Sequence, residues 1–119
     1  MTENKATVEK YMDGFRKADH QQILSCLTDD VEWYIPGAFN IRGKAAFDAE
    51  IENEQFVGLP VITVTRITEE NDVVVAEGTV GTQRKDGVSL TLAMCDVFDM
   101  RGGKIRRLVS YLMPVNASA

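Results

Sequence analysis

Asp96 stands in the run AMCDVFDMRGGKIRRLVSYL (residues 93–112), which reads as a strand, a turn and a second strand. Its neighbours in the alternation are Met94 and Phe98. A carboxyl group with apolar neighbours on its own face is either paired with a base or held neutral, because burial disfavours its charged form. Held neutral, Asp96 is a proton donor able to polarise a carbonyl group. Ionised, it would pair with Arg42, Arg106 or another base, or accept from backbone groups, and be structural. The candidate second donor is Tyr11, on the apolar face of a helix. A buried tyrosine hydroxyl needs a partner, and the other reading of Tyr11 is plain core packing.

The remaining candidates would shape a binding site. Trp33 shares a face with Val31 and Ile35, and could form an aromatic wall for a flat apolar ligand or simply fill the core. Phe39, after the break at Pro36, is a lid or an ordinary plug. Glu50 and Glu54 share a helical stripe with Phe47 and Ile51. Either is a general base if a pocket reaches it, or a solvated surface group if not. With Phe15 on the first helix, Met94 and Phe98 on the strand of Asp96, and Leu108 and Ser110 on the last strand, these residues make up the expected ligand-lining set. His20 lies in a polar junction and reads as surface. One His and two well-separated cysteines, Cys26 and Cys95, without a Cys-x-x-Cys, give no basis for a metal or a cofactor. Both cysteines read as small buried apolar side chains in a reducing cytoplasm.

Positioning these groups falls to elements that the pattern defines. Val8, Tyr11, Met12 and Phe15 recur at helical spacing within 7–18. Asp19 suits the start of a short second helix with Ile23, Leu24 and Leu27 as its apolar face, ended by Thr28-Asp29-Asp30. Residues 31–35 read as a strand, 37–43 as a loop, and 44–54 as a third helix. Stretches 61–68, 73–82, 88–100 and 104–114 are rich in Val, Ile, Thr and Leu and read as strands. The breaks Glu70-Asn71-Asp72, Lys85-Asp86-Gly87 and Gly102-Gly103 are hairpin signals. Helices followed by a strand meander predict an α+β fold, with helices on one face of a curved antiparallel sheet.

The chain has 119 residues and a net charge of -5. That length fits one domain over residues 1–119. The acidic balance argues against nucleic acid or an anionic membrane as partner. The start lacks the basic-then-apolar pattern of a signal peptide, no apolar run is long enough to span a bilayer, and the expected location is cytoplasmic. Both faces of the strand at 88–100 are largely apolar, as are those of the last strand. A sheet with one wet face should alternate more cleanly. A second copy of the chain on the outer face would explain this, so a homodimer through the outer sheet face is expected.

The stretch YMDGFRKADHQQILSCLTDDVEWYIPG, followed by IRGKAAF, resembles the opening of the nuclear-transport-factor-two-like superfamily, and CDVFDMRGGKIRRLVSYL resembles its last hairpin. The resemblance spans about residues 7–113, with a SnoaL-like flavour. It implies a cone-shaped sheet wrapped around three helices and enclosing a pocket, with dimers through the sheet common. In the related ketosteroid isomerases a helix Tyr and a strand Asp donate to a developing enolate, and those positions look like Tyr11 and Asp96. The base position of those enzymes looks like Ile35, so the base is absent. The Arg and two Asp of the related epoxide hydrolases fall at places that look like Gly78, Val80 and Ser110, and none matches. SnoaL-like cyclases rely on a pocket aspartate, for which Asp96 is the strand candidate. The expectation is a pocket that takes a small apolar cyclic or carbonyl compound. Isomerase-, cyclase- or hydratase-type acid–base chemistry would be centred on Asp96, without cofactor. The alternatives are a binding protein that does no chemistry and a protein-interaction module.

Overall fold

The computed structural model describes residues 2–52 and 54–115. Its elements in order are α1 (Glu3–Lys17), α2 (His20–Leu24), β1 (Leu27–Ile35), β2 (Phe39–Arg42), α3 (Lys44–Ile51), β3 (Phe56–Glu70), β4 (Val73–Arg84), β5 (Ser89–Arg101) and β6 (Lys104–Pro114). The expected α+β class holds.

α1 starts a turn earlier than its apolar periodicity suggests. The Thr2 side chain accepts from the Lys5 N–H at 3.1 Å, capping a polar first turn that carries no hydrophobic signal. The helix stops at Ala18, which adopts φ 52°, and Asp19 then caps α2 by accepting from the Gln22 N–H at 3.0 Å. α2 is five residues long, and Leu27, expected on its apolar face, is instead the first residue of β1. Leu27 pairs with Ile105 of β6, so the sheet claims it before the helix can. The expected loop at 37–43 contains β2, an edge strand whose Phe39 pairs with Ile35 across the Pro36-Gly37 turn. α3 ends at Ile51 rather than at residue 54.

The sheet order is β2-β1-β6-β5-β4-β3. Four seams are antiparallel, the three of the β3–β6 meander as expected and the β1–β2 seam in addition, but β1 and β6 run parallel. No hairpin joins those two strands, so turn geometry does not fix their direction. Asn71 and Asp72 both take left-handed conformations, φ 54° and 60°, in the two-residue turn between β3 and β4. The sheet is curved and does not close, with β2 and β3 at its edges. α1 packs against β3, β4 and β6, and α3 against β1 and β2.

Between helices and sheet lie Val8, Ile23, Phe47, Val74, Phe98, Ile105 and Leu108, all fully buried. Each is worth about 1.5–3 kcal/mol of burial. On β5 the inner residues Met94, Asp96, Phe98 and Met100 are buried, while Cys95, Val97 and Asp99 between them are half-buried. Cys26 is buried as expected, but Cys95 is only partly so, because it sits on the outer face. Among the described residues no helix is long and apolar enough to cross a membrane.

His20 is more than a surface residue. Its Nδ1 lies 2.6 Å from Asp48 and its Nε2 2.5 Å from Glu52, so one imidazole ties α2 to the end of α3. Hydrogen bonds to Asp48 and then Glu52 raise its pKa above 6.5. A raised folded-state value means that the stabilisation is full below the ordinary histidine pKa and is lost as pH rises through the folded value. The His20→Asn variant is therefore expected to melt below the wild type at pH 5.5 and to match it at pH 9. The deficit, for so exposed a clasp, is about 1 kcal/mol or less. Parallel melting curves at the two pH values check it.

Candidate functional site

The site is built by register. Asp96 on β5 lies opposite Ser110 on β6 and Ala76 on β4, all on the inner face. β1 runs beside β6 with Trp33 opposite Leu108, which brings the indole over Ser110. The Trp33 Nε1–H donates to the Ser110 Oγ at 3.1 Å. α1 lays Tyr11, Met12 and Phe15 across this corner. The Arg16 Nε–H donates to the Ile62 carbonyl at 3.0 Å, fixing the helix against β3.

Between these elements is a cavity of about 140 Å³, lined by Tyr11, Met12, Phe15, Trp33, Ile35, Pro60, Ile62, Val80, Met94, Asp96, Ser110 and Leu112. Leu112, 38% exposed, stands at its rim. The cavity is a partly open cleft rather than the enclosed pocket expected, because the sheet does not close over it. The Trp33 ring is held by stacking on Phe47 (centroids 4.3 Å apart) and by edge contacts with Phe15 and Phe39. Tyr11 packs edge-on against Phe15, Phe47 and Phe98.

Asp96 is the one charged residue in this lining and is 7% exposed. Neither base considered from the sequence pairs with it: Arg42 binds Glu32, and Arg106 approaches Asp99. Burial pushes its carboxyl up from 3.8 to about 7, against a smaller lowering by the Ser110 hydrogen bond. Its Oδ1 is buried and has no hydrogen-bond partner among the described residues. Burial, and then the nearby charge of Asp96, push the Tyr11 hydroxyl well above its ordinary value, so it stays protonated. The lining thus holds two proton donors at neutral pH, one of which titrates there.

Of the expected site residues, Tyr11, Phe15, Trp33, Ile35, Met94, Asp96 and Ser110 meet at the cavity. Phe47, Phe98 and Leu108 do not line it. They are fully buried beneath it, because the helices press those positions into the core. Phe39 packs on the edge of Trp33, and Ile51 on the core, so neither lines the cleft. Glu50, near the end of α3, and Glu54, beyond it, border a surface recess with Ala49, Glu52 and Gln55, and neither lines the cleft of Asp96. Met12, Pro60, Ile62, Val80 and Leu112 were not expected. Met12 and Leu112 share faces with expected residues, which was a usable signal. Pro60 and Ile62 arrive only because β3 curls over the cleft. Among the described residues no cluster of three or more His, Cys, Asp or Glu is arranged to hold a metal. A larger groove of about 590 Å³ runs between α1 and β3; of its charged groups, Asp13 pairs with Lys17, Arg66 with Glu77, and Arg16 donates to the Ile62 carbonyl.

Comparison with known families gives a match to the SnoaL-like domain over residues 8–108. The chain belongs to the SnoaL-like domain family. Solved structures share its fold. An NTF2-like protein of unknown function from Burkholderia pseudomallei K96243 superposes with TM-score 0.85 at 19% identity, covering 95% of this chain and 92% of the other. TerC, co-crystallised with polyporic acid, gives TM-score 0.82 at 25% identity, covering 92% and 90%. An M. tuberculosis LEH-like epoxide hydrolase gives 0.81 at 21%, covering 93% and 83%. Among curated proteins no match was found.

Within this SnoaL-like domain, the places that look like the epoxide hydrolase residues are now located. Val80 and Ser110 line the cleft, but neither carries a carboxylate. Gly78 cannot carry an arginine on this backbone, because even a Cβ there would lie 1.8 Å from the Thr63 carbonyl oxygen. Ile35, the place that looks like the isomerase base, faces the cleft as an apolar wall.

Proposed function

We propose that this SnoaL-like domain, acting over residues 1–119 as one unit, binds a small, neutral, mostly apolar cyclic or carbonyl compound. Asp96 and Tyr11 would both donate hydrogen bonds to its oxygen. The observation that carries this reading is Asp96 itself, the one carboxyl group in a mostly apolar cleft, with its Oδ1 unpartnered among the described residues. A buried polar atom without a partner costs about 1–3 kcal/mol, and a ligand oxygen beside a protonated carboxyl would relieve it. The volume, about 140 Å³, suits roughly one ring. TerC, similar over most of its length, was co-crystallised with a small molecule, polyporic acid, which supports small-molecule binding on this fold.

The same carboxyl supports acid–base chemistry. A group titrating near 7 can remove a proton beside a carbonyl and return it, as isomerases and cyclases require. The second reading, binding without turnover, is favoured by the lining itself: apart from Asp96, its one titratable group is Tyr11, which cannot serve as a base. The test uses Trp33, the single tryptophan, as a fluorescence reporter for cyclohexanone, 2-cyclohexenone and phenol. Binding should weaken about tenfold per pH unit above 7 in the wild type and lose that dependence in Asp96→Asn. Binding that ignores both pH and the substitution would sink the donor role. Deuterium exchange beside the carbonyl in heavy water, abolished in Asp96→Asn, would select acid–base catalysis; its absence would select the binding protein.

A homodimer through the outer sheet face belongs to the same proposal. Cys95, Ala93, Tyr111 and Met113 border an outer recess of about 430 Å³, with Tyr111 51% and Met113 66% exposed. The double substitution Tyr111→Glu, Met113→Lys should give a folded monomer in sedimentation, where the wild type is a dimer. A wild-type monomer ends this part of the reading.

A further inference from the structure

Two cavities lie side by side along the seam between α1 and β3. Met12 lines both the apolar cleft and the groove of about 590 Å³, so it is the wall they share. On β3, Ile62 lines the cleft and Val64, the next residue on the same face, lines the groove. Arg16 stands at this border. It lines the groove, while its Nε–H donates to the Ile62 carbonyl at 3.0 Å. It lies one helical turn beyond Met12, about 6 Å along α1, and is half-buried. A guanidinium carries five N–H groups, and those on Nη1 and Nη2 make no hydrogen bond among the described residues. The neighbouring charges are already engaged. Asp13 is held by Lys17 at 2.7 Å and by Gln22 at 3.0 Å, and Arg66 by Glu77 at 2.6 Å. Glu9 also lines the groove, but it is exposed and two turns from Arg16, about 10 Å along the helix. Among the described residues Arg16 is thus a half-buried cation, at the edge of the cleft, that no carboxylate pairs.

We propose that Arg16 is a specificity-determining residue, which binds a carboxylate carried on a short tether by the ring that the cleft holds. This rests on the reading of the cleft as a small-molecule site and goes beyond it by adding an acidic group to the ligand. With Nε taken by the Ile62 carbonyl, the end of the guanidinium still offers one N–H from each Nη, in the parallel pair that two carboxylate oxygens accept. The Nε contact also fixes the plane of that fork, so little side-chain freedom is lost on binding. The shared wall is a methionine, an unbranched side chain that can shift to let a tether pass. The carboxylate stays in the groove and the ring in the cleft. Asp96 lines only the cleft, so the added negative charge does not share its space. A tethered amine would instead meet a like charge at Arg16.

The experiment compares cyclohexanone with 4-oxocyclohexanecarboxylate and its homologues, in which one to three methylenes separate ring and carboxylate. Trp33 fluorescence reports binding at pH 6 to the wild type, Arg16→Gln and Arg16→Lys. The best acid of the series should bind the wild type about tenfold more tightly than cyclohexanone, the worth of hydrogen bonds to a charged group. Added salt should shrink that advantage and leave cyclohexanone unmoved. Arg16→Gln should lose the advantage, and Arg16→Lys, which keeps the charge without the fork, should keep part of it. A purely structural role for Arg16, through its hold on Ile62, would weaken acid and ketone equally and leave their ratio unchanged; that result overturns the inference. If Arg16→Gln does not fold, the salt series on the wild type decides: an advantage that is absent, or that salt does not touch, overturns it. Acids whose binding depends on Arg16 but not on Asp96→Asn would leave this inference standing while the donor role fails. Cyclohexanone that binds through Asp96, with no advantage for any acid, would keep the binding reading and remove this one. No binding of any compound would overturn both.

Discussion

Asp96→Asn is expected to be more stable than the wild type at pH 8 and no more stable at pH 4. The cause is the cost of holding a carboxylate in an apolar cleft. Burial raises the Asp96 value from 3.8 to about 7, and the folded state therefore binds a proton that the unfolded chain has released. A folded-state value above the unfolded one means that stability is greatest below 3.8, falls as pH rises to about 7, and is level beyond. The full span corresponds to about 4 kcal/mol. Asparagine is neutral throughout and nearly the same shape, but its amide in turn faces an apolar wall, which returns about 1–3 kcal/mol. The net gain at pH 8 is about 1–3 kcal/mol, or a melting temperature higher by roughly 5–10 °C. Thermal melts of both proteins from pH 4 to pH 9 measure it directly. Identical profiles would mean that Asp96 is ionised in the folded state and solvated or paired. A residue whose removal stabilises the fold is one that the fold tolerates for another reason, as expected of a functional site.

Gly78→Ala is expected to be the most damaging one-methyl change in the sheet. Gly78 lies on β4 opposite Val64, where the register between β3 and β4 shifts. A Cβ at Gly78 would lie 1.8 Å from the Thr63 carbonyl oxygen and 2.8 Å from its carbon. Both are backbone atoms in a paired strand and cannot rotate aside, so the seam itself must separate. Overpacking of this kind costs about 1–3 kcal/mol or more, lowering the melting temperature by roughly 10 °C. The seam carries Ile62 and Val80, which line the cleft, so ligand binding should weaken in the same variant. Gly81→Ala on the same strand is the control: its Cβ would meet Val61 at 3.7 Å, an ordinary contact, and should be well tolerated. Equal melting of the two variants would show that the seam opens easily.

Much of this protein was legible in its residues, because the signals concerned are local. The spacing of Val8, Tyr11, Met12 and Phe15 defines a helix face, and alternation through Met94, Asp96 and Phe98 defines a strand face. That alternation is enough to put Asp96 inside, and no sequence neighbour supplies a partner. The Asn71-Asp72 and Gly102-Gly103 breaks mark hairpins whose positive φ angles suit these residues. Whether an inward side chain touches the cleft or lies beneath it was not local. Phe98 and Leu108 share strand faces with Met94 and Ser110, yet the first two lie wholly in the core while the others reach the cleft. Nor could spacing show that β1 would settle parallel to β6. That pairing joins residues some 77 positions apart and creates the Trp33–Ser110 contact. The sequence by itself determined the helix and strand faces and the isolation of Asp96, because periodicity is a property of neighbouring residues. The tertiary structure alone decided which walls face the cleft, which oxygen of Asp96 is free, and that Gly78 admits no side chain. Those outcomes depend on how curved strands distant in the chain come to rest against one another.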